Sequence, residues 1–198
     1  MRTIQDCFQS ELVVDRSTFC AYLFPVSNET EMREKLSALR KEHPKAKHIC
    51  YAYKGEQTQR SSDDGEPKGT AGRPLLECLL QRDLVHVLLV VVRYFGGIKL
   101  GASRLLRTYM QAASEVIQKA KIYQSYEASI YEIHASLSSY DMLLHILQKE
   151  NIEILSTSFE EQVVVTVSCP STLEKWKESI LGKMEVIFMK TETKWRLE

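Results

Sequence analysis

The chain has 198 residues and a formal net charge of zero, and 44% of its residues are hydrophobic and 26% charged, the composition of a globular protein. These proportions exclude a disordered, collagen-like or coiled-coil chain, and no apolar run approaches the roughly 20 residues of a membrane-spanning helix. The N-terminus has no apolar segment of a secretory signal and the five cysteines form no CxxC pair, so we expect a cytoplasmic protein without a disulfide framework or a zinc site.

The first half of the chain alternates strand and helix patterns. The predicted elements in chain order are strands at 11–15 and 18–26, a helix from 27 to 44, a strand at 47–53, a short helix at 75–81, a strand at 85–94 and a helix at 102–119. A tight hairpin at Arg16-Ser17 joins the first two strands. In the strand at 47–53, His48, Cys50 and Ala52 share one face. The strand at 85–94 is apolar at nearly every position, which predicts burial on both faces.

The segment 55–74 is too long and too polar for an ordinary turn, and loops of this length in compact domains are usually functional or disordered. Its glycines allow positive φ angles and close approach to a ligand, and they include Gly65, Gly69 and Gly72. Three acids lie within four positions of one another, Asp63, Asp64 and Glu66. Such acids either hold a cation or cap the amides of their own loop, and the residues alone leave both alternatives open.

A strand, a glycine turn and a helix follow over residues 90–107. Gly96 and Gly101 have the spacing of a phosphate-binding P-loop, but Ala102 stands where that motif requires Lys, so its nucleotide hydrolysis is not expected. The underlying physics remains, because a helix N-terminus presents unpaired N–H groups and a positive dipole end to an anion. Basic side chains add to this charge, namely Lys99, Arg104 and Arg107. Arginines that simply face water are the alternative, and the pattern slightly favours the anion site.

After residue 121 the pattern restarts. Strands are predicted at 129–137, 152–157, 162–168 and 184–195, with helices at 139–149 and 170–181. This βαββαβ order is that of the ferredoxin-like fold. The charge changes sign at the same place, because residues 1–123 carry 19 Lys and Arg against 14 Asp and Glu, and residues 124–198 carry 7 against 12. We therefore predict an α+β protein with two domains, 1–123 and 124–198, each with its own sheet.

Three segments of the first domain resemble the IMPACT/YigZ family, Lys47–Tyr53, Asp63–Pro74 and Arg93–Ala102. Leu106–Tyr109 continues a similarity that spans residues 10–120. The resemblance implies an N-terminal domain like domain IV of elongation factor G, a four-stranded sheet with helices on one face, and a C-terminal domain like domain V of that factor. It also implies a role linked to translation, since the eukaryotic relatives regulate translation through protein partners. This chain is more basic than the family pattern at Lys68 and at Ser103-Arg104.

The leading hypothesis is a non-enzymatic, translation-linked protein that binds RNA or a ribosome-associated surface, with no catalytic residue, cofactor, metal or membrane contact. The expected anion or nucleic-acid site comprises Arg73, Arg93, Gly96, Gly97, Lys99, Gly101, Arg104 and Arg107. The residues expected to shape the pocket are His48, Asp63, Asp64, Gly65, Glu66, Pro67, Gly69, Thr70 and Gly72. Segments 60–73 and 96–101 are expected to lie side by side, since anion sites form around helix N-termini.

Two alternatives come from other classes of protein. One is an enzyme acting on a small phosphorylated or carboxylated substrate, with the acids of the Asp63–Arg73 loop supplying acid–base or metal chemistry. The other is a module that binds only a protein partner, as the eukaryotic relatives suggest. An enzyme needs the acids to converge with the basic turn in a closed pocket, whereas RNA binding needs an open positive groove.

Overall fold

The computed structural model describes residues 1–170, 174–180 and 184–198. The chain forms two compact units: unit 1 comprises Met1–Gln124 with Leu197–Glu198, and unit 2 comprises Ser125–Arg196. Each unit combines a β-sheet with helices, which confirms the predicted α+β class. Within the described residues, no helix is both long enough and apolar enough to cross a membrane.

Unit 1 is built on a sheet whose central strand is buried on both sides. Its strands are β1 (Arg2–Thr3), β2 (Phe8–Val14), β3 (Ser17–Pro25), β4 (His48–Lys54), β5 (Gln59–Ser62) and β6 (Val87–Tyr94). Strands β2 to β6 form an antiparallel sheet in the order β2-β3-β6-β4-β5, and β1 pairs with Tyr123 and Gln124. In β6, every residue from Val87 to Arg93 is buried, as its continuous apolar pattern predicted.

Helices cover both faces of this sheet. They are α1 (Glu29–Glu42), α2 (Gly72–Gln81) and α3 (Ala102–Gln118). The apolar side chains of α2 and α3 join Phe19 and Cys50 in one cluster on the first face. On the opposite face, Met32 and Leu39 of α1 pack with Ile49 in a second cluster.

The four-stranded sheet with helices on one face, which the family resemblance implied, is wrong in both details. Strand β5 adds a fifth strand at the edge beside β4. The second face is covered because alternate residues of β4 and β6 are apolar on that side as well, so they need a helix over them.

The β2–β3 hairpin turns at Asp15-Arg16, one residue earlier than predicted. Both residues have positive φ angles, 46° and 63°, and Val14 pairs with Ser17 across the turn. Two consecutive positive φ angles are the geometry of a two-residue turn that matches the twist of its strands.

Unit 2 has the predicted ferredoxin-like strand order. Its elements are β7 (Tyr123–Ala135), a 3₁₀ helix (Leu137–Ser139), α4 (Tyr140–Lys149), β8 (Glu153–Phe159), β9 (Val163–Pro170), a second 3₁₀ helix (Glu174–Ser179) and β10 (Glu185–Leu197). The strands follow the order β10-β7-β9-β8. The helix predicted at 170–181 differs, because Pro170 ends β9 and residues 174–179 form a 3₁₀ helix, while 171–173 and 181 lie outside the described residues.

Candidate functional site

The carboxylate of Asp63 organises the loop between β5 and α2. Its Oδ1 accepts hydrogen bonds from the backbone N–H groups of Ala71 and Gly72 at 3.0 and 2.8 Å, and its Oδ2 accepts one from Gly69 at 2.8 Å. Burial disfavours the charge, but these three bonds outweigh it and lower the pKa of Asp63 below its ordinary value. The acid therefore caps the first turn of α2 and closes its own loop.

Helix α2 begins at Gly72, three residues before the predicted start at Leu75, at a point where its backbone packs closely against β5. A Cβ atom on Gly72 would lie 2.6–2.7 Å from the backbone of Ser62, the last residue of β5. Only glycine fits at that distance. The loop predicted as irregular thus contains an edge strand and a helix start that contact each other.

The neighbouring acid, Asp64, fastens the loop to β4 and α1. Its Oδ2 accepts a hydrogen bond from the backbone N–H of Ile49 at 2.7 Å, and its carboxylate is paired with Arg40 at 3.1 Å. Its carbonyl oxygen lies 2.8 Å from His48 Nδ1. A carbonyl only accepts, so Nδ1 of His48 carries the proton and its Nε2 is left for another partner.

A buried ion pair lies beside this histidine. Arg93 Nη1 donates to Glu66 Oε1 over 2.7 Å, and the two side chains are only 6% and 3% exposed. The Tyr109 hydroxyl donates to the same oxygen over 2.8 Å, while His48 Nε2 lies 3.9 Å from Glu66 Oε2. Burial first, and then the neighbouring Cys50 and Glu66, raise the pKa of Tyr109, which keeps it a neutral donor.

The register of the sheet brings these groups together. His48 on β4 is the cross-strand partner of Arg93 on β6, so their positions are set by backbone pairing. Glu66 reaches the pair from the loop, which Asp63 and Asp64 hold in place. Backbone pairing therefore sets the positions of His48 and Arg93, and the hydrogen bonds of the loop set that of Glu66.

Cys50, on the same strand face as His48, is a thiol rather than a nucleophile. Burial chiefly raises its pKa to about 12, although the hydrogen bond with Tyr109 acts in the opposite direction. Its Sγ donates to the carbonyl oxygen of Asp63 over 2.9 Å. Nucleophilic catalysis requires a thiolate, so this side chain is not suited to it.

A cleft of about 390 Å³ opens above the ion pair. The residues lining this cleft are Lys47, His48, Glu66, Pro67, Arg93, Phe95, Lys99, Leu100, Gly101, Ala102 and Leu105. Glu66 and Pro67 come from the loop before α2, and residues 99–102 come from the turn before α3. The prediction that segments 60–73 and 96–101 lie side by side is confirmed at these positions.

The N-terminus of α3 forms one wall of the cleft and has no side-chain cap. Gly101 precedes the helix with φ +75°, and the first turn of α3 contains no acidic residue. The N–H groups of that turn therefore remain available to a ligand, together with the positive end of the helix dipole.

The predicted basic residues separate into two groups. Arg93 lies on the floor of the cleft and Lys99 on its wall. Arg73 is paired with Glu77 along α2, Arg104 is paired with Asp15, and Arg107 is exposed on α3; none of these three lines the cleft as the described residues form it.

The predicted glycines and pocket-shaping residues also separate. Gly101, His48, Glu66 and Pro67 line the cleft, whereas the other residues shape the backbone around it. These others are Asp63, Asp64, Gly65, Gly69, Thr70, Gly72, Gly96 and Gly97. Among the described residues, no group of three His, Cys, Asp or Glu side chains is placed to hold a metal ion.

The predicted site left out six residues of the observed one: Lys47, Phe95, Leu100, Ala102, Leu105 and Tyr109. All but Leu105 lie inside segments that resemble the family, so that signal was present. Leu105 is the first buried position of the amphipathic α3, and its position on the cleft wall depends on where that helix packs.

Comparison with known proteins identifies relatives along most of the chain. The family model for the Impact N-terminal domain matches residues 15–117. The IMPACT family member YvyE of Bacillus subtilis is 44% identical over 116 residues, 57% of this chain and 54% of that protein, so the match spans about half of its length. An IMPACT family member of Haemophilus influenzae is 31% identical over 176 residues, 86% of this chain and 85% of that protein.

A solved structure supports the fold of the whole chain. The crystal structure of a hypothetical protein superposes with a TM-score of 0.62 at 22% identity, covering 96% of this chain and 97% of that one. The resemblance stated from the sequence motifs is confirmed by the matching family model and by the Haemophilus relative along both units. The chain belongs to the IMPACT family.

Proposed function

We propose that this chain is a non-enzymatic, translation-linked cytoplasmic protein that binds RNA through the cleft of unit 1. The translation link rests on the family, whose eukaryotic members regulate translation. The single observation that carries RNA binding is the cleft itself, where an uncapped helix N-terminus meets basic side chains.

Charge and an aromatic ring support a nucleic-acid ligand. Lys47 and Lys99 lie on the cleft walls, and residues 1–123 have an excess of Lys and Arg, 19 against 14 Asp and Glu. Lysines on a surface groove attract phosphates by long-range charge, an interaction that salt weakens. Phe95 lines the same cleft, and its ring lies over the Arg93 guanidinium, 5.5 Å from centroid to central carbon. The residue is still 49% exposed, so the ring offers its exposed part as a stacking surface to a base.

The hydrogen bonds of the acids favour binding over catalysis. Asp63 is occupied by three backbone N–H groups, and Asp64 by a backbone N–H and Arg40. Glu66 is paired with Arg93. An acid–base or metal role needs a carboxylate that reaches the substrate with a free oxygen, and neither aspartate is placed in that way. Glu66 does have an oxygen at the cleft, Oε2, that is free among the described residues, but its charge is compensated by the buried pair with Arg93.

One observation supports the enzyme alternative. His48 holds its proton on Nδ1 and places Nε2 beside Glu66 at the cleft, as a general base would be oriented. In that case His48→Gln abolishes turnover of a small phosphorylated or carboxylated substrate, whereas in the RNA-binding proposal it leaves most of the salt-dependent affinity intact.

Salt-titrated binding of the full-length chain to single-stranded RNA tests the proposal. The Lys47→Ala, Lys99→Ala double variant is expected to weaken binding and to lower the slope of log affinity against log salt by about 0.7 for each phosphate that is no longer neutralised. The control is Lys41→Ala, Lys121→Ala, which removes the same charge from two exposed lysines outside the cleft. Equal slopes for the two double variants, or no measurable RNA affinity at low salt, contradict the proposal.

A further inference from the structure

The floor of the cleft contains a cation whose hydrogen bonds are incomplete. Arg93 lines the cleft, and its one side-chain hydrogen bond among the described residues is from Nη1 to Glu66 Oε1. Its Nε is buried without a partner in the described part of the chain. The rings of Phe19 and Phe95 lie over its guanidinium, with centroids 5.3 and 5.5 Å from the central carbon, and partly compensate the charge. A guanidinium carries five N–H donors and buried donors are nearly always paired, so this side chain retains the capacity to bind a further acceptor.

The depth of Arg93 selects which phosphates can reach it. Its side chain is 6% exposed, whereas the exposed Lys47 and Lys99 stand on the walls of the cleft. An internal phosphodiester lies along a continuous strand and contacts groups at the rim. A phosphate at a chain end is able to enter, and a guanidinium binds its oxygens in a bidentate manner.

The size of the cleft limits the ligand further. A volume of about 390 Å³ lies near the lower end of the roughly 300–1,000 Å³ that is typical of small-molecule sites. The cleft therefore has room for one nucleotide and not for several nucleotides of a strand. Phe95 offers its ring to a base within the same space.

The acceptors in the cleft complement a sugar or a base as well as a phosphate. Glu66 Oε2 makes no hydrogen bond within the described residues, and His48 Nε2 lies 3.9 Å from it. Nδ1 of His48 donates to the Asp64 carbonyl, so in the neutral imidazole Nε2 is the acceptor. Ribose hydroxyls and base amino groups are the donors in a nucleotide that such acceptors bind.

We propose that the cleft takes a single nucleotide carrying a terminal phosphate, with the phosphate between Arg93 and the N-terminus of α3 and with Glu66 and His48 accepting from the sugar or base. The inference rests on the proposed RNA binding for its preferred source, the phosphorylated end of an RNA. A free nucleoside monophosphate has the same chemistry, and the experiment separates the two.

Isothermal titration of the full-length chain at fixed salt makes the comparison. The probes are a pentanucleotide RNA with a 5′-phosphate, the same RNA with a 3′-phosphate, the same RNA with hydroxyls at both ends, and a free nucleoside monophosphate. A hydroxyl-ended hexanucleotide controls for added charge, because its extra phosphate is internal. We expect one of the phosphorylated ends to bind at least about tenfold more tightly than the hydroxyl ends, and the hexanucleotide to gain no more than about twofold.

A cleft-filling variant ties that preference to the site. Ala102→Leu adds volume inside the cleft at an exposed helix position and removes no charge, so the tenfold preference for a phosphorylated end is expected to disappear. Ser103→Leu is the matched control, because Ser103 is the next exposed residue of α3 and is not among the residues lining the cleft.

Each outcome has a separate meaning. Equal affinity for phosphorylated and hydroxyl ends overturns this inference and leaves the proposed RNA binding in place. If the nucleoside monophosphate binds and none of the oligonucleotides does, the result supports the nucleotide chemistry of the cleft and overturns the proposed RNA binding. No binding of any probe overturns both, and a preference that survives in Ala102→Leu places the phosphate outside the cleft.

Discussion

Replacing Asp63 by Asn tests whether this acid holds the loop rather than a ligand. The carboxylate receives two N–H groups on Oδ1, from Ala71 and Gly72, and one on Oδ2, from Gly69. An asparagine keeps one acceptor oxygen and puts an NH₂ group in place of the other. The variant therefore keeps at most two of the three hydrogen bonds and loses the negative charge at the start of α2.

The expected loss of stability follows from these bonds. A hydrogen bond to a charged group contributes about 1.5–3 kcal/mol, and the remaining two bonds weaken because their acceptor is neutral. A carboxylate at a helix N-terminus adds a further few tenths of a kcal/mol. We expect Asp63→Asn to lower the free energy of unfolding by about 2–3 kcal/mol at pH 7.

The lowered pKa of Asp63 determines how its contribution to the free energy of unfolding changes with pH. The pKa of Asp63 is lowered in the folded chain, so its contribution is complete above the unfolded value of about 3.9 and is lost as the pH falls through the lower folded value. The difference between the original chain and Asp63→Asn is therefore constant from pH 7 to pH 5 and narrows below about pH 4.

Urea unfolding followed by far-UV circular dichroism measures that difference, and amide hydrogen exchange at Gly69, Ala71 and Gly72 locates it. The control is Asp15→Asn, which removes a carboxylate from the surface pair with Arg104 at a positive-φ position that asparagine tolerates. Its expected cost is below about 1 kcal/mol. An Asp63→Asn loss no larger than that control, or a difference that persists unchanged at pH 2.5, would refute the reasoning.

Two further predictions concern packing and thiol chemistry. Gly96→Ala is expected to lower the free energy of unfolding by at least about 2 kcal/mol, because its Cβ would lie 2.1 Å from the backbone of Arg16. Gly97→Ala meets open space and is expected to cost only about 1 kcal/mol, from its φ of +88°. Urea unfolding compares the two variants, and equal losses of stability would contradict the close packing at Gly96. Burial raises the pKa of Cys50 to about 12, so iodoacetamide at pH 8 is expected to label the exposed Cys7 and not Cys50 in the folded chain. Peptide mass mapping measures the labelling of each cysteine, and equal rates for the two would contradict the prediction.

Local periodicity determined the elements that the sequence predicted well. The run Val87 to Val92 is apolar without interruption, which identifies a strand buried on both faces whatever its neighbours are. The helix from Ala102 carries an apolar stripe, and its predicted and observed starts coincide. The order of strands and helices after residue 121 indicated the ferredoxin-like arrangement, because that order leaves few ways to form one sheet.

Neither strand β5 nor the packing of helix α1 on the second face of the sheet could be predicted from the sequence. Residues 59–62 are polar and mostly exposed, so they have no apolar alternation, and only pairing with β4 makes them a strand. The family resemblance placed helices on one face, while the packing of Met32 and Leu39 on the other face depends on which side of the sheet α1 crosses.

The sequence by itself also indicated which segments form the candidate site, because the motifs around Glu66 and Arg93 identify the family and their glycines indicate close backbone approach. Only the tertiary structure decided what each acid and base does. Asp63 looks in sequence like a candidate acid, yet its oxygens face three backbone N–H groups. Arg93 and Glu66 are 27 residues apart, and they meet because the β4–β6 register sets His48 opposite Arg93 while the loop brings Glu66 over them. Hydrogen bonds are short-range and directional, so the role of a charged side chain is settled by partners that are distant in the chain.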